Sequence, residues 1–221
     1  MPAKTSKVSR EIPTLTVLAG VNGGGKSSVG GTALRNSGAE YFNPDEYARQ
    51  LRTQESLTQE KANAVAWAYG KGKLEKAIAN GTDFTFESTL GGQTITDLLI
   101  HAAGKSHSLD IWFVGLASVD LHLQRVANRV AQGGHPIPEA DIRKRWIGSH
   151  ENIIRLIPFV CTLRVFDNSR EVAASEEPHP ELLLSIGRGE LAYPGPDALS
   201  ATPQWAKPIV AAAYRHFGLV A

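Results

Sequence analysis

The chain has little of several things: one cysteine, one methionine and 7% aromatic residues in 221. A lone Cys161 can form no intrachain disulfide, and no His/Cys set has zinc-ligand spacing. These absences exclude a disulfide scaffold and a zinc centre and fit a reducing, cytoplasmic location. Cys161 lies in an apolar segment and reads as a small buried hydrophobe. Neither sign of charge dominates: 23 Lys and Arg against 22 Asp and Glu leave a net charge of +1. No overall field therefore favours nucleic acid or an anionic surface. Basic stripes interleaved with exposed aromatics, which a nucleic-acid interface would show, are also missing. No apolar run approaches transmembrane length, and the N-terminus lacks a signal-peptide core. Neither nucleic acid nor membrane is an expected partner.

Glycine, by contrast, is plentiful, with 21 residues, and its placement is informative. Thr14-Leu15-Thr16-Val17-Leu18-Ala19 reads as a buried strand that runs into Gly20-Val21-Asn22-Gly23-Gly24-Gly25-Lys26-Ser27-Ser28. From Gly20 to Ser27 the spacing is G-x-x-x-x-G-K-S, the phosphate-binding P-loop pattern. Glycines let successive backbone N–H groups turn inward around phosphate oxygens, and a helix starting near Lys26 points its positive end at them. Lys26 can reach the β- and γ-phosphates, and the Ser27 hydroxyl can take a place on Mg²⁺.

The length suits one α/β domain over residues 13–221, preceded by a loose basic arm over 1–12 that carries Lys4, Lys7 and Arg10. The patterning predicts a helix over 26–36 and a short strand over 39–45. A helical stretch over 45–79 follows, interrupted near Gly70-Lys71-Gly72. Next come a strand over 83–89, a helix over 93–103 and the most hydrophobic strand over 109–116. Val119, Leu123, Val126 and Val130 repeat at helical spacing. A loop over 132–138 leads to a helix ending near Leu156, a fifth strand over 162–169, a small hairpin over 182–191 and a last helix over 203–217. Short apolar strands alternating with helices predict a mostly parallel five-stranded sheet covered on both faces. Residues 119–156 would form a helical lid, and 171–221 a C-terminal extension.

Ligands of such sheets gather at the carboxyl ends of the strands. That rule brings the P-loop together with Asn43 and Asp45, Glu87 and Thr89, and Asp167 and Asn168. Asp45 facing a γ-phosphate would accept a proton from an incoming hydroxyl. Alternatively it caps the helix it opens, and spacing alone leaves the two readings even. Glu87 would bind an acceptor hydroxyl, hold Mg²⁺ through water, or form a structural ion pair. Arg125 and Arg129 share one helix face, and Arg143 and Arg145 lie beyond the Gly133-Gly134-His135 turn. Two arginine-bearing helices about a hinge could close on a triphosphate and stabilise a transferring phosphoryl group. The alternative is a solvated face paired with Glu139 and Asp141. His135 reads as a general base or an exposed loop histidine, and Trp112 and Trp146 as core.

These pieces, in this order, resemble the zeta toxin family of P-loop kinases, in particular its short single-domain members. The resemblance rests on Ala19 through Ser27, Phe42-Asn43-Pro44-Asp45, Phe86-Glu87-Ser88-Thr89-Leu90, Arg129-Val130-x-x-Gly133-Gly134-His135-x-Ile137-Pro138 and Asp167-Asn168-Ser169, and covers residues 13–170. It implies a three-layer kinase fold that uses ATP and Mg²⁺ to phosphorylate a hydroxyl of a small acceptor. In well-known members that acceptor is a UDP-N-acetyl amino sugar. By position, Asp45 would be the base, with Lys26, Arg129 and Arg145 on the phosphates. Asn43, Glu87 and Thr89 would contact the acceptor. Gly20, Asn22, Gly23, Gly24, Gly25, Ser27, Ser28 and Asn168 would complete the nucleotide site, with Ser27 on the metal. If the chain is a toxin, an antitoxin protein should cover the ATP site. A non-toxic metabolite or nucleotide kinase, and a nucleotide-dependent switch without transfer, are the competing readings.

Overall fold

Val17, Leu18 and Ala19 are fully buried because β1 (Thr14–Ala19) lies inside a sheet rather than at its edge. In the computed structural model, which describes residues 12–31, 41–171, 179–187 and 189–219, β1 pairs in parallel with β3 (Phe84–Ser88) and β4 (Ser108–Gly115). β2 (Tyr41–Phe42) adds to β3, and β5 (Thr162–Asp167) to β4, again in parallel. The strand order is β2-β3-β1-β4-β5-β6-β7. Strand growth switches sides at β1, so the loop leaving it opens into the crevice where doubly wound sheets hold ligands.

The sheet has seven strands among the described residues, not the expected five. The additional pair is the expected hairpin, β6 (Glu181–Gly187) and β7 (Glu190–Tyr193), which docks antiparallel on β5. Leu183, Leu184 and Ile186 drive the docking by extending the core. The hairpin also covers a β5 edge whose backbone groups would otherwise be unpaired.

The helical stretch after β2 divides elsewhere than expected. α1 (Pro44–Glu55) ends at Ser56, in a left-handed conformation at φ 54°, and Thr58 caps α2 (Gln59–Asn80). Gly70 and Gly72 lie inside α2 without breaking it. Gly70 is a packing residue, since a Cβ there would meet the Phe42 ring at 2.4 Å.

α3 (Gln93–Ala103) precedes β4. α4 (Val119–Ala131) and α5 (Glu139–Leu156) form the expected helical pair, joined by a loop over 132–138. Val126 and Ile142 pack together against Val21 of the glycine loop, while Ile153 and Leu156 at the far end of α5 enter the main core. α6 (Lys207–His216) closes the fold on α5, starting four residues later than predicted.

A wide helical turn over Ser27–Gly31 opens the expected first helix, whose remainder lies outside the described residues, as does the expected arm up to residue 11. Cys161 is exposed, not buried. It precedes β5, where its N–H bonds to Leu109 O at 2.8 Å and leaves the thiol on the rim. Among the described residues no helix is long and apolar enough to cross a membrane.

Candidate functional site

The glycine loop is shaped by what surrounds it. Gly20 has φ +136°, and a Cβ there would meet Val114 O at 2.1 Å, so only glycine fits between β1 and β4. Gly25, at φ +85°, faces the Asn168 amide, which a Cβ would approach to 2.3 Å. Asn168 is itself buried and donates from Nδ2 to Gly24 O at 3.0 Å. It thus braces the loop's backbone from behind. Lys26 Nζ folds back on Gly20 O at 2.8 Å. Ser28, beside it, is exposed.

Across the crevice, Glu87 is only 7% exposed and its Oε1 accepts three hydrogen bonds. The donors are Ser27 Oγ at 2.8 Å, Asn43 Nδ2 at 3.0 Å and the Tyr41 hydroxyl. Burial of a carboxylate is tolerable when such donors satisfy it. One carboxylate therefore links the serine of the glycine loop to the asparagine that starts α1.

Asn43, not Asp45, is the N-cap of α1. Its Oδ1 accepts from the N–H groups of Asp45 at 2.9 Å and Glu46 at 3.2 Å. Asp45 occupies the second helical position, and among the described residues its carboxylate makes no hydrogen bond or ion pair. It lines a cavity of about 460 Å³ with Lys26, Asn43, Glu87, Thr89 and Arg145. His135, from the α4–α5 loop, lines the same cavity. Burial holds the His135 pKa below the usual value, with the Asp45 charge opposing the shift.

The four arginines separate. Arg145 donates to Asn22 Oδ1 at 2.8 Å, tying α5 to the glycine loop, and it also pairs with Asp141 at 3.9 Å. Arg129 donates to His135 O at 3.3 Å, while its Nε is buried without a partner in the structure. Arg125 reaches Ser169 O at 3.3 Å. Arg143 is the solvated-face case: it pairs with Glu139 at 2.7 Å and Asp120 at 3.1 Å, away from the cavity.

Three contributors escaped the sequence reading. His122 is fully buried and its Nδ1–H donates to Asn22 O at 2.9 Å, behind the glycine loop. Burial, reinforced by the charges of Lys26 and Arg125, lowers its pKa to about 4 and keeps it neutral. Asn152 of α5 donates to Leu90 O at 2.7 Å and Gly92 O at 3.2 Å, fixing the loop after β3. Trp205, from the C-terminal region, donates to Asp167 Oδ2 at 3.1 Å and lies against Gly115. None of the three carries a local motif; each acts through contacts distant in sequence.

A glycine cradle after the first strand, on a parallel core ordered β2-β3-β1-β4-β5, defines a P-loop fold of kinase-like build. A family model described as an AAA domain (AAA_33) matches residues 15–145, more than half of the chain, and the chain belongs to that family. A protein of Haemophilus influenzae (strain ATCC 51907 / DSM 11121 / KW20 / Rd), described as an uncharacterized protein, is 28% identical over 128 residues, 58% of this chain and 88% of that one. Among solved structures, the AvrRxo1-ORF1:AvrRxo1-ORF2 complex with sulphate ions has a TM-score of 0.61 at 18% identity over 87% of this chain. This chain spans 64% of that one's length. The PezAT chromosomal toxin-antitoxin system of Streptococcus pneumoniae has a TM-score of 0.56 at 12% identity, covering 98% of this chain and 90% of that one. At these identities the likeness is one of fold alone: an α/β P-loop fold with a mostly parallel sheet.

Proposed function

We propose that the protein is an ATP-dependent kinase that moves the γ-phosphoryl group to a hydroxyl of a small acceptor. The observation that carries this reading is the Asp45 carboxylate: with Asn43 capping α1, Asp45 lines the cavity of Lys26 and Arg145 and, among the described residues, makes no hydrogen bond or ion pair. In the proposed reaction the acceptor oxygen bonds to the γ-phosphorus, the bond from that phosphorus to the bridging oxygen breaks, and ADP leaves. Asp45 takes the acceptor proton. Lys26, Arg129 and Arg145 offset the charge spread over the phosphoryl oxygens. Backbone N–H groups from Gly20 to Ser28 hold the phosphates, with Asn22 and Asn168 keeping that backbone in shape. Asn43, Glu87 and Thr89 would bind the acceptor.

Mg²⁺ keeps several waters and takes one or two protein oxygens besides phosphate. Ser27 Oγ, 2.8 Å from the buried Glu87 carboxylate, suits that requirement. Bound there, the ion would neutralise phosphate charge.

A structure similar in fold was solved with ATP, and two are of assemblies with a partner chain or toxin-antitoxin pair. By that likeness ATP is the proposed donor and an antitoxin-like protein the proposed partner, with a UDP-N-acetyl amino sugar the first acceptor to try. The test is incubation with γ-labelled ATP and a bacterial small-molecule extract, read by mass spectrometry. Label should enter a small metabolite, and Lys26→Ala should abolish its appearance. ATP binding without any labelled product would leave a nucleotide-dependent switch as the better reading.

A further inference from the structure

Among the described residues, His122 Nε2, Trp146 Nε1 and His150 Nε2 are buried polar atoms without a hydrogen-bond partner. The helix pair behind the glycine loop brings them together. α4 and α5 fold back on one another through the 132–138 loop, and Val126 of one packs with Ile142 of the other against Val21. One turn further from the loop stand the fully buried His122 on α4 and Trp146 on α5. A turn beyond Trp146, the His150 ring lies 4.6 Å from the indole, centroid to centroid. His150 is also close enough for its charge to act on His122. Phe113 and Trp205 wall the His150 ring on its other sides, with centroids at 5.9 and 5.5 Å.

Backbone carbonyls decide which proton each imidazole carries. His122 Nδ1–H donates to Asn22 O at 2.9 Å, and His150 Nδ1–H donates to Trp146 O at 2.6 Å. Burial keeps both rings neutral, so each Nε2 is left as an acceptor. The indole Nε1–H can only donate. Paired directly, it could satisfy one imidazole and would strand the other. A water molecule matches all three: its two hydrogens serve the two Nε2 atoms, and its oxygen accepts from the indole. About three such bonds are usual for a buried water. A metal ion would meet the indole proton, and an anion would meet the two lone pairs, so neither fits.

We propose that His122, Trp146 and His150 form a buried water site, and that the water they hold braces the glycine loop from behind by joining α4 to α5. Asn22 is the residue on which the brace acts. His122 holds its backbone carbonyl, while Arg145, next to Trp146 on α5, holds its side-chain oxygen at 2.8 Å. Trp146 and His150 are thus positioning residues for the phosphate loop. The site is independent of where a bound phosphate goes, so it reaches beyond the kinase reading and stands or falls separately.

The experiment is water–protein cross-relaxation by NMR on the full, nitrogen-15-labelled chain at pH 7, read at the assigned Trp146 indole N–H. A water held for longer than the molecule's tumbling time gives NOE and ROE signals of opposite sign at that proton. Long-range nitrogen–proton correlations of His122 and His150 read the tautomers in the same sample. The expected result is the opposite-sign pair at Trp146, with both imidazoles protonated at Nδ1 and bare at Nε2. His150→Phe removes one acceptor and fills its space. It should abolish the water signal and weaken β,γ-imido-ATP binding about threefold to tenfold by calorimetry, the net worth of one hydrogen bond, with circular dichroism unchanged. An absent water signal in the parent protein, either imidazole protonated at Nε2, or unchanged nucleotide affinity in a folded His150→Phe overturns the proposal. The parent spectra decide the water site even where the variant fails to fold. Failure of the parent protein to bind β,γ-imido-ATP would overturn the kinase reading instead, and the same spectra would still test the site.

Discussion

At His122, burial and hydrogen bonding act on a single imidazole. The Nδ1–H bond to Asn22 fixes the back of the glycine loop, while burial keeps the ring neutral down to about pH 4. An unfolded chain would protonate this histidine near pH 6.5, so between the two values the unfolded state binds more protons. Stability should therefore be level above pH 6.5 and fall as pH drops toward 4, by about 3 kcal/mol from this residue. His135 and His150, also lowered chiefly by burial, act in the same direction. Urea denaturation at pH 7 and pH 4.5 measures the loss. His122→Asn, which keeps a donor without the titration, should show a visibly smaller difference between the two. None of this was legible in the sequence, because the burial comes from packing against a loop 100 residues earlier. Asp45 was half legible: its place after the second strand could be read, but that Asn43 takes the capping role is a matter of side-chain geometry.

At the scale of elements, the loop after β3 and helix α5 form a joint. Leu90 sits at φ +50°, Asn152 holds the carbonyls on either side of Gly91, and Gly148 packs so closely that a Cβ would meet Gly91 O at 2.4 Å. Asn152→Ala removes the side-chain donor to the buried Leu90 carbonyl and one of two side-chain donors to Gly92 O, which keeps Thr96 Oγ1 at 3.3 Å, and should cost about 1–3 kcal/mol in stability. Because this loop carries Thr89 into the cavity, the variant should raise KM for the acceptor more than KM for ATP; steady-state kinetics on both substrates checks this. The existence of the α4–α5 pair was readable from valine spacing and the Gly-Gly-His turn. The joint was not, since its parts lie about sixty residues apart. The division between α1 and α2 was misplaced for a related reason: glycine ordinarily marks a break, but Gly70 exists to admit the Phe42 ring.

Taken as a whole molecule, the C-terminal region is wired to the phosphate loop. Trp205 donates to Asp167, whose other oxygen accepts from the N–H of Ser169 at 2.8 Å and from its hydroxyl; Asn168, held between them, reaches Gly24. Trp205→Phe deletes the donor to Asp167 together with the distal indole atoms that lie against Gly115. It should weaken ATP binding several-fold while far-ultraviolet circular dichroism stays unchanged. The parallel strands about the glycine loop follow from alternating strand and helix patterns, whereas their order, β2-β3-β1-β4-β5, shows only in the assembled sheet. The hairpin was foreseen too, but its docking on β5 depends on an edge that only the assembled sheet exposes.

If donor and acceptor halves meet at Asp45, one variant should separate nucleotide binding from phosphoryl transfer. ATP affinity and phosphoryl transfer are measured side by side for the parent protein and Asp45→Asn, a change that leaves the Asn43 cap intact. The expected result is unchanged ATP affinity with transfer reduced about a hundred- to ten-thousand-fold, the range for a lost general base. Transfer at the parental rate in Asp45→Asn would rule Asp45 out as the base.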